Sequence, residues 1–343
     1  MINNIVNKDD QFYLDNINRY SDNESEIDSD IDGDSIDNDI CIDINDNSKR
    51  FIPVTPSGSY ISHNSLDDSM RHSNNSLSDL PIMEDIKLIR NKFYIRDIFI
   101  RELLSEFIGS FIYMLISNNI YANVIINGTY NITFIDWILI SISCGISLVF
   151  GMYITIIKGG GGFLNPIIAF SVYLLKGMSG IKCFLYHIIY FVASFLSSFL
   201  IYIININRIR EFGYGKDTSN IFTSYKNDGI SSFNSVVVEF VLVILFIFIF
   251  LTLYDDFLIK KNIMLYCKLV CLLFIILSLS FGFDVQMAIN PAMDFSSRIF
   301  LSIAPWGSSV FKYGNYWFWI PLIIPYIASS IGCVLYFILI KSQ

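Results

Sequence analysis

The sequence predicts an all-α membrane protein with six transmembrane helices and two re-entrant half-helices, arranged as an inverted repeat. Composition is the first observation behind this prediction: of the 343 residues, 53% are hydrophobic and 16% are charged, and the mean hydropathy is +0.52. Average soluble domains contain about 25% charged residues. The second observation is a set of six long apolar runs. The third is a pair of Asn-Pro sequences, Asn165-Pro166 and Asn290-Pro291, at equivalent positions in the two halves.

The first 80 residues differ from the rest of the chain. Residues 1–50 contain 14 acidic and 4 basic residues, a net charge of −10, whereas the whole chain carries −8. Such a polar segment cannot bury enough apolar surface to offset the entropy lost on folding. We therefore predict a disordered acidic tail over residues 1–80 and a membrane domain over residues 95–341. Two interpretations of the tail stay open, a low-complexity extension or a regulatory segment. Its candidate phosphorylation sites are Ser73, Ser76 and Ser78.

Each of the six apolar runs is long enough to cross a bilayer, which takes roughly 20 residues in a helix. The runs cover residues 98–117, 137–157, 183–206, 236–253, 263–283 and 317–340. With the two half-helices, each half of the chain then contains three spans and one half-span. Because three is odd, the two halves must cross the membrane in opposite orientations.

Lys and Arg near the ends of the spans predict the orientation, because loops rich in these residues stay on the cytoplasmic side. The loop at residues 118–136 has neither Lys nor Arg, and the loop at residues 207–234 has both, interspersed with acidic residues. We predict that both termini are cytoplasmic, since five basic residues lie before or at the start of the first span. These are Lys87, Arg90, Lys92, Arg96 and Arg101.

Each Asn-Pro pair predicts the start of a helix that is too short to cross the membrane. Asn is a good N-cap because its side chain can bond the free backbone N–H groups, and Pro suits the first helical position, where its missing N–H is not needed. The apolar run after the first pair ends at Lys176, roughly half the length of a bilayer span. A matched pair of interrupted segments in two halves indicates a site near the middle of the membrane.

The sequence offers little for catalysis, metal binding or nucleic-acid binding. Five of the six cysteines lie in predicted spans and the three histidines are scattered, so neither a disulfide framework nor a metal site is expected. The glycine run at residues 159–162 lacks the Lys-Ser/Thr that a phosphate-binding loop requires. We expect no enzyme activity, no cofactor and no nucleic-acid partner.

Several segments of residues 95–341 resemble the aquaporin family. Residues 101–110 resemble the opening helix of that family, and Glu239-Phe240 repeats its Glu-Phe pair at the start of the second half. The most specific match runs from Asn290 to Trp317, and it resembles the glycerol-conducting branch, the aquaglyceroporins. The residues that mark this branch are Asp294, Arg298, Pro321 and Leu322.

The resemblance implies a passive channel in the lipid bilayer for small neutral solutes, namely glycerol-like polyols and water. It also implies that the half-helices meet head to head, that their positive N-terminal ends exclude protons, and that Glu106 and Glu239 support the extended segment before each half-helix. A homotetramer with one pore in each subunit is the implied assembly. The residues expected at the centre of the pore are Asn165, Pro166, Ile167, Asn290, Pro291 and Ala292.

The resemblance places an outer constriction of the pore at Cys144, Ser278, Met287 and Met293. The family usually has Arg directly after the second Asn-Pro-Ala, where this chain has Met293. Replacing a cation and five donors with a flexible thioether removes hydrogen bonds and a positive barrier, so narrow selectivity for water is not expected. Three further departures are Phe163 where the family commonly has His, Ile167 where it has Ala, and Tyr190 where it has Gln.

Two other classes of function stay open from the sequence. A secondary transporter also uses half-helices to build a substrate site, and a non-conducting membrane scaffold would keep the fold with a closed pore. Osmotic swelling of vesicles distinguishes the three classes. A channel speeds swelling without an ion gradient, a transporter requires saturable coupled uptake, and a scaffold has no effect.

Overall fold

The computed structural model describes residue 95, residues 97–128 and residues 132–341. The predicted tail over residues 1–80, including its three candidate serines, lies outside the described residues. In the described part every regular element is helical. The α-helices are α1 (Ile98–Asn127), α2 (Phe134–Ile156), α3 (Pro166–Leu174), α4 (Gly180–Phe212), α5 (Lys216–Ser219), α6 (Ser232–Lys260), α7 (Ile263–Leu277), α8 (Ser297–Ile303), α9 (Tyr313–Tyr316) and α10 (Trp319–Tyr336).

Short stretches of wider or tighter helix extend or connect these elements. Helix α7 continues as a π-helical turn, and another π-helical turn leads directly into α8. A 3₁₀ turn precedes α9, and α10 ends in a third π-helical turn. In chain order these stretches are Ser278–Gly282, Ala292–Ser296, Gly307–Phe311 and Phe337–Lys341.

Polar residues at the helix starts explain why the long helices begin where they do. Asp97 caps α1 by accepting a hydrogen bond from the backbone N–H of Ile100 at 3.0 Å. Thr133 and Asp136 form a reciprocal capping box at the start of α2. Each of these side chains bonds a backbone donor that has no partner inside the helix. The same role falls to Ser179, Ser231 and Asn262 at the starts of α4, α6 and α7.

Five helical segments of the described chain are long and apolar enough to cross a membrane: Phe134–Ile156, Gly180–Phe212, Ser232–Lys260, Ile263–Gly282 and Tyr313–Lys341. Helix α1 is not among these five, although its 30 residues exceed the length of a bilayer span. It contains the predicted first span and packs against α2 and α4. The all-helical architecture confirms the predicted fold class.

The two halves of the chain repeat one packing pattern. In the first half α1 packs against α2 and α4, and in the second half α6 packs against α7 and α10. The halves meet where α2 packs against α7. Helix α3 and the turn Ala292–Ser296 each contact α4 and α10. Both short helices are thus held between the same two long helices.

Two glycines let α1 and α2 approach closely. A Cβ atom on Gly109 would lie 2.0 Å from the Thr155 hydroxyl oxygen and 2.6 Å from the Gly151 carbonyl oxygen. Any side chain there would force the helices apart. Small residues at such crossings are typical of helices packed in membranes, where close van der Waals contact drives association.

Residues 207–219 are more helical than the sequence predicts. A loop was expected over residues 207–234, but α4 continues to Phe212 and α5 covers Lys216–Ser219. Gly213 ends α4 with φ of +89°, and its N–H bonds the Ile209 carbonyl at 2.9 Å. Glycine suits this position because residues with a side chain rarely adopt positive φ. The Arg-rich end of α4 therefore belongs to the helix.

Candidate functional site

Two short helices begin at the Asn-Pro sequences, as predicted. Asn165 caps α3, and its side-chain oxygen accepts a hydrogen bond from the Ile167 N–H at 3.1 Å. Asn290 accepts one from the Met293 N–H at 3.2 Å. Pro166 occupies the first helical turn of α3, and Pro291 lies directly before the turn Ala292–Ser296. All four residues of the two Asn-Pro pairs are buried.

The two asparagines are joined by crossed hydrogen bonds. Asn165 donates through Nδ2 to the Ile289 carbonyl at 3.0 Å, and Asn290 donates through Nδ2 to the Leu164 carbonyl at 3.2 Å. Each acceptor is the residue directly before the opposite asparagine. This reciprocity places the N-terminal ends of both half-helices at one point. An amide nitrogen carries two hydrogens, and the crossed bond uses one of them.

The backbone before each half-helix is strained. Leu164 has φ of +53°, and Gln286 and Met287 have φ of +58° and +47°. A residue with a side chain in this region costs on the order of 1–3 kcal/mol, so it persists only where neighbouring groups hold it. The strained segments precede Asn165 and Asn290. The carbonyl groups of Leu164 and Ile289 in these segments accept the crossed hydrogen bonds instead of helical ones.

Glu106 on α1 holds the first of these segments. Its carboxylate accepts hydrogen bonds from the backbone N–H of Gly162 at 2.8 Å and from those of Phe163 and Leu164, each at 3.4 Å. The Tyr190 hydroxyl donates to it at 2.8 Å. A fully buried carboxylate is tolerated when several donors surround it.

Glu239 on α6 is the counterpart of Glu106 by position, but its surroundings differ. It is fully buried, and neither carboxylate oxygen has a hydrogen-bond partner by ordinary geometry in the described chain. The two halves therefore differ at this point, although their helices repeat one pattern.

A buried ion pair joins the turn Ala292–Ser296 of the second half-helix to α8. Arg298 is fully buried, and its Nε donates to Asp294 Oδ1 at 2.7 Å. Its two terminal nitrogens donate to the Val310 carbonyl at 2.8 Å and to the Ser224 carbonyl at 2.5 Å. The guanidinium also lies 4.7 Å from the centre of the Tyr225 ring.

The same pair binds the loop between α5 and α6. Asp294 Oδ2 accepts hydrogen bonds from both the backbone N–H and the hydroxyl of Ser224, each at 2.7 Å. The neighbouring Tyr225 N–H donates to the side-chain oxygen of Gln286 at 3.1 Å. Sequence reasoning singled out Asp294 and Arg298 but missed Ser224 and Tyr225, which no local pattern marks.

Two cavities meet at Asn290. The first, which we name the loop-side cavity, has a volume of about 60 Å³ and is lined by residues 220–224 of the loop together with Met287, Asn290 and Met293, among others. The second, the aromatic cavity, has about 20 Å³ and is lined by Tyr113, Phe163, Phe246, Phe250 and Phe274 together with both asparagines. A water molecule needs roughly 10–15 Å³ measured in this way. The aromatic cavity therefore holds about one water.

Phe163 narrows the aromatic cavity. Its ring centre lies 5.6 Å from that of Tyr254 and 6.2 Å from that of Tyr186, and its side chain is 2% exposed. Phe250 stacks on Tyr254 with ring centres 6.1 Å apart. The passage on this side of the asparagine pair is thus enclosed by aromatic rings.

The structure brings some of the predicted constriction residues together and not others. Met287 and Met293 line the loop-side cavity. Cys144 and Ser278 are buried, and neither belongs to the lining of the two cavities. The Ser278 hydroxyl instead pairs with that of Ser141 at 2.7 Å. Ile167 and Ala292 are also fully buried, in the first turns of the two half-helices.

Comparisons with known proteins agree with this geometry. The sequence pattern of the family described as Major intrinsic protein matches residues 95–336. Aquaporin-9 of Milnesium tardigradum is 30% identical over 271 residues, which cover 74% of this chain and 94% of the relative. Aquaporin-9 of Homo sapiens is 27% identical over 264 residues, which cover 74% of this chain and 88% of the relative.

A solved structure shares the fold. The aquaglyceroporin from Plasmodium falciparum, determined by X-ray methods, matches with a TM-score of 0.64 and 24% identity. The match covers 71% of this chain and 98% of that one. The family pattern, the relatives and the paired half-helices agree with one another. The chain belongs to the major intrinsic protein family, and it is a multi-pass membrane channel for water and small solutes rather than an enzyme.

Proposed function

We propose that this channel conducts glycerol-like polyols and water past the paired asparagines. The crossed hydrogen bonds of Asn165 and Asn290 are the observation that carries the proposal. Each amide keeps a second hydrogen, which can donate to the oxygen of a passing water or hydroxyl. The rings around the aromatic cavity supply an apolar wall. A permeant loses hydrogen bonds to water on that wall and regains one at each asparagine.

Proton exclusion is proposed to arise at the same point. The N-terminal end of a helix carries about half a positive charge, and two such ends face each other at Asn165 and Asn290. A hydronium ion or another cation is repelled there, whereas a neutral solute is not. Glu106 is proposed to hold the extended segment that positions Asn165, and its bonds to that segment support this role. The same role for Glu239 is proposed from the resemblance alone, since its carboxylate has no hydrogen-bond partner within the described residues.

The rest of the assembly is proposed from the family and from the charge pattern. Residues 95–341 form the channel, both termini are cytoplasmic, and four subunits assemble with one pore each. The predicted constriction at Cys144, Ser278, Met287 and Met293 also stays a proposal. Of these residues, the two methionines have the stronger support, because they line the loop-side cavity.

Osmotic swelling of proteoliposomes, measured in parallel for water, glycerol and urea, tests the proposed function. We expect accelerated swelling with water and with glycerol and no dependence on an ion gradient. Saturable uptake driven by a proton or sodium gradient would indicate a transporter instead. Swelling equal to that of protein-free vesicles would indicate a scaffold without a conducting pore.

Met293→Arg is expected to lower the ratio of glycerol to water permeability. The new side chain narrows the loop-side cavity, which slows the larger solute, and its five donors ease the loss of hydration from water. Its positive charge also reduces any leak of small cations. Stopped-flow light scattering at matched membrane abundance measures both permeabilities. Met293→Leu is the matched control, since it preserves the size and adds no charge. An unchanged ratio in Met293→Arg would place selectivity elsewhere.

Phe163→Ala is expected to raise glycerol permeability several-fold while changing water permeability less. Removing the ring enlarges the aromatic cavity, which in its present form holds about one water. Phe195→Ala is the control, because Phe195 packs against Phe300 with ring centres 5.7 Å apart and lines neither cavity. Equal glycerol permeability in wild type and Phe163→Ala would show that this ring does not limit the passage.

A further inference from the structure

An ion pair that the proposed mechanism does not use joins α1 to the start of α4. Lys182 Nζ donates to Glu102 Oε1 at 2.7 Å, and the two side chains are only 14% and 9% exposed. The same nitrogen lies 5.8 Å from the centre of the Tyr186 ring. Lys182 and Tyr186 are four residues apart, so they share one face of α4. The pair therefore fixes both the first turn of α4 and a positive charge beside this ring.

The Tyr186 ring lies behind the ring that narrows the aromatic cavity. Phe163 lines that cavity, whereas Tyr186 and Tyr254 contact Phe163 without lining it. All three side chains are buried. Side chains that border an open passage would stay in contact with water. The three rings therefore close this end of the passage in the structure.

The Phe163 ring has little room to move while its neighbours stay in place. A Cβ atom on Gly161 would lie 2.5 Å from two atoms of the ring, so the ring lies directly over the backbone of Gly161. Tyr186 and Tyr254 cover it from two other helices, α4 and α6. Because side chains occupy discrete rotamers in close-packed surroundings, the Phe163 ring can leave the passage only if a neighbouring ring shifts.

We propose that Glu102 and Lys182 are positioning residues that keep this end of the passage closed. The pair holds the first turns of α4 against α1, and the cation attracts the face of the Tyr186 ring. Tyr186 in turn keeps the Phe163 ring over the passage. A buried ion pair adds little net stability compared with apolar residues of similar size, so its effect here is on position. The inference rests on the proposed function as a polyol channel.

Glu102→Gln and Lys182→Met test the proposal in proteoliposomes that contain the full chain. We expect glycerol permeability to rise about fivefold in each, which corresponds to a loss of about 1 kcal/mol from the closed arrangement. Water permeability should rise less, because water is the smaller solute. Combining both changes removes both charges, so this double variant replaces a single variant that does not fold, and the same rise is expected.

Two further variants show whether the charge pair is the cause. Lys182→Arg keeps the cation and should restore glycerol permeability to near the wild-type value. Lys260→Met is the matched control, because Lys260 pairs with Asp256 on α6 at 2.8 Å but both side chains are exposed. Its permeability should equal that of wild type. A rise in Lys182→Arg or Lys260→Met as large as that in Lys182→Met would overturn the role of the pair.

Hydrogen–deuterium exchange of the purified protein separates this inference from the proposed function, since it requires no transport. It measures how often the backbone N–H groups of residues 159–164 lose their protection. We expect faster exchange there in Glu102→Gln and Lys182→Met, and unchanged exchange in residues 286–290 before the other half-helix. Faster exchange in both segments would indicate a general loss of stability and overturn the inference.

The two measurements together distinguish the possible failures. If wild type conducts glycerol, unchanged glycerol permeability in the charge-removing variants would overturn the role of Glu102 and Lys182 and leave the channel proposal standing. If neither wild type nor any variant conducts, the channel proposal fails. In that case faster exchange confined to residues 159–164 would still support the positioning role, and unchanged exchange would overturn it.

Discussion

Asn290→Asp is expected to reduce the flux of glycerol and water by roughly tenfold or more. The variant loses the Nδ2 donor that binds the Leu164 carbonyl at 3.2 Å, and it sets a carboxylate oxygen against that carbonyl. It also removes the donor proposed to meet the permeant. Together these changes remove on the order of 1–3 kcal/mol of favourable interaction, and each 1.4 kcal/mol corresponds to a factor of ten in rate.

The same substitution should weaken the barrier to cations. A carboxylate at the meeting point of two positive helix ends offsets their combined charge, which is about one elementary charge. We therefore expect a cation leak in Asn290→Asp that wild type lacks, measured as decay of a potassium gradient.

The reciprocal variant and a matched control sharpen this test. Asn165→Asp should behave in the same way as Asn290→Asp, because the crossed bonds are equivalent. Asn205→Asp is the control, since Asn205 bonds Asn119 and the Ile201 carbonyl and lines neither cavity. Normal flux in both pore variants, at normal abundance, would show that the asparagines do not face the permeant.

The half-helices were predictable because their signal is local. Asn at the cap and Pro at the first turn favour a helix start wherever they occur, and the short apolar run limits the length of the helix. The structure begins α3 at Pro166 and the second half-helix beside Pro291. Capping chemistry acts within three or four residues, so one sequence is sufficient to find it.

The crossed hydrogen bonds and the loop contacts were not predictable by the same reasoning. Asn165 bonds a carbonyl 124 residues away, and Ser224 bonds Asp294 across 70 residues. Such partners depend on how the two halves pack. Sequence reasoning identified residues 207–234 only as a loop with interspersed basic and acidic residues, and a serine in a loop gives no indication of which acceptor it meets.

The repeated pattern also concealed a difference between the halves. Glu106 and Glu239 occupy matching places in the sequence repeat, which predicts matching roles. The structure surrounds Glu106 with four donors, whereas Glu239 makes no hydrogen bond by the same criteria in the described chain. The second segment instead bonds the loop through Gln286. A motif predicts the position of a group, but its partners depend on the surrounding segments.

Asp294→Ala is expected to cause a large loss of stability, of about 3–5 kcal/mol, because it leaves the fully buried Arg298 charge without its partner. The variant also releases Ser224, whose N–H and hydroxyl both bond the lost carboxylate. We therefore expect a lower melting temperature in detergent and faster proteolysis within residues 220–226.

Two further variants show whether the unpaired charge is the cause. Asp256→Ala removes an exposed ion pair with Lys260, whose length of 2.8 Å is similar. Exposed pairs contribute about 0–1 kcal/mol, so the melting temperature of this variant should stay near that of wild type.

Asp294→Ala combined with Arg298→Met removes the charge together with its partner. That double variant should be more stable than Asp294→Ala alone, since a buried charge without a partner costs more than losing the pair. If Asp294→Ala and the double variant melt at the same temperature, the loss of stability comes from the missing loop contacts of Ser224 and not from the unpaired charge. If the melting temperature of Asp294→Ala equals that of wild type, the ion pair does not stabilise this part of the channel.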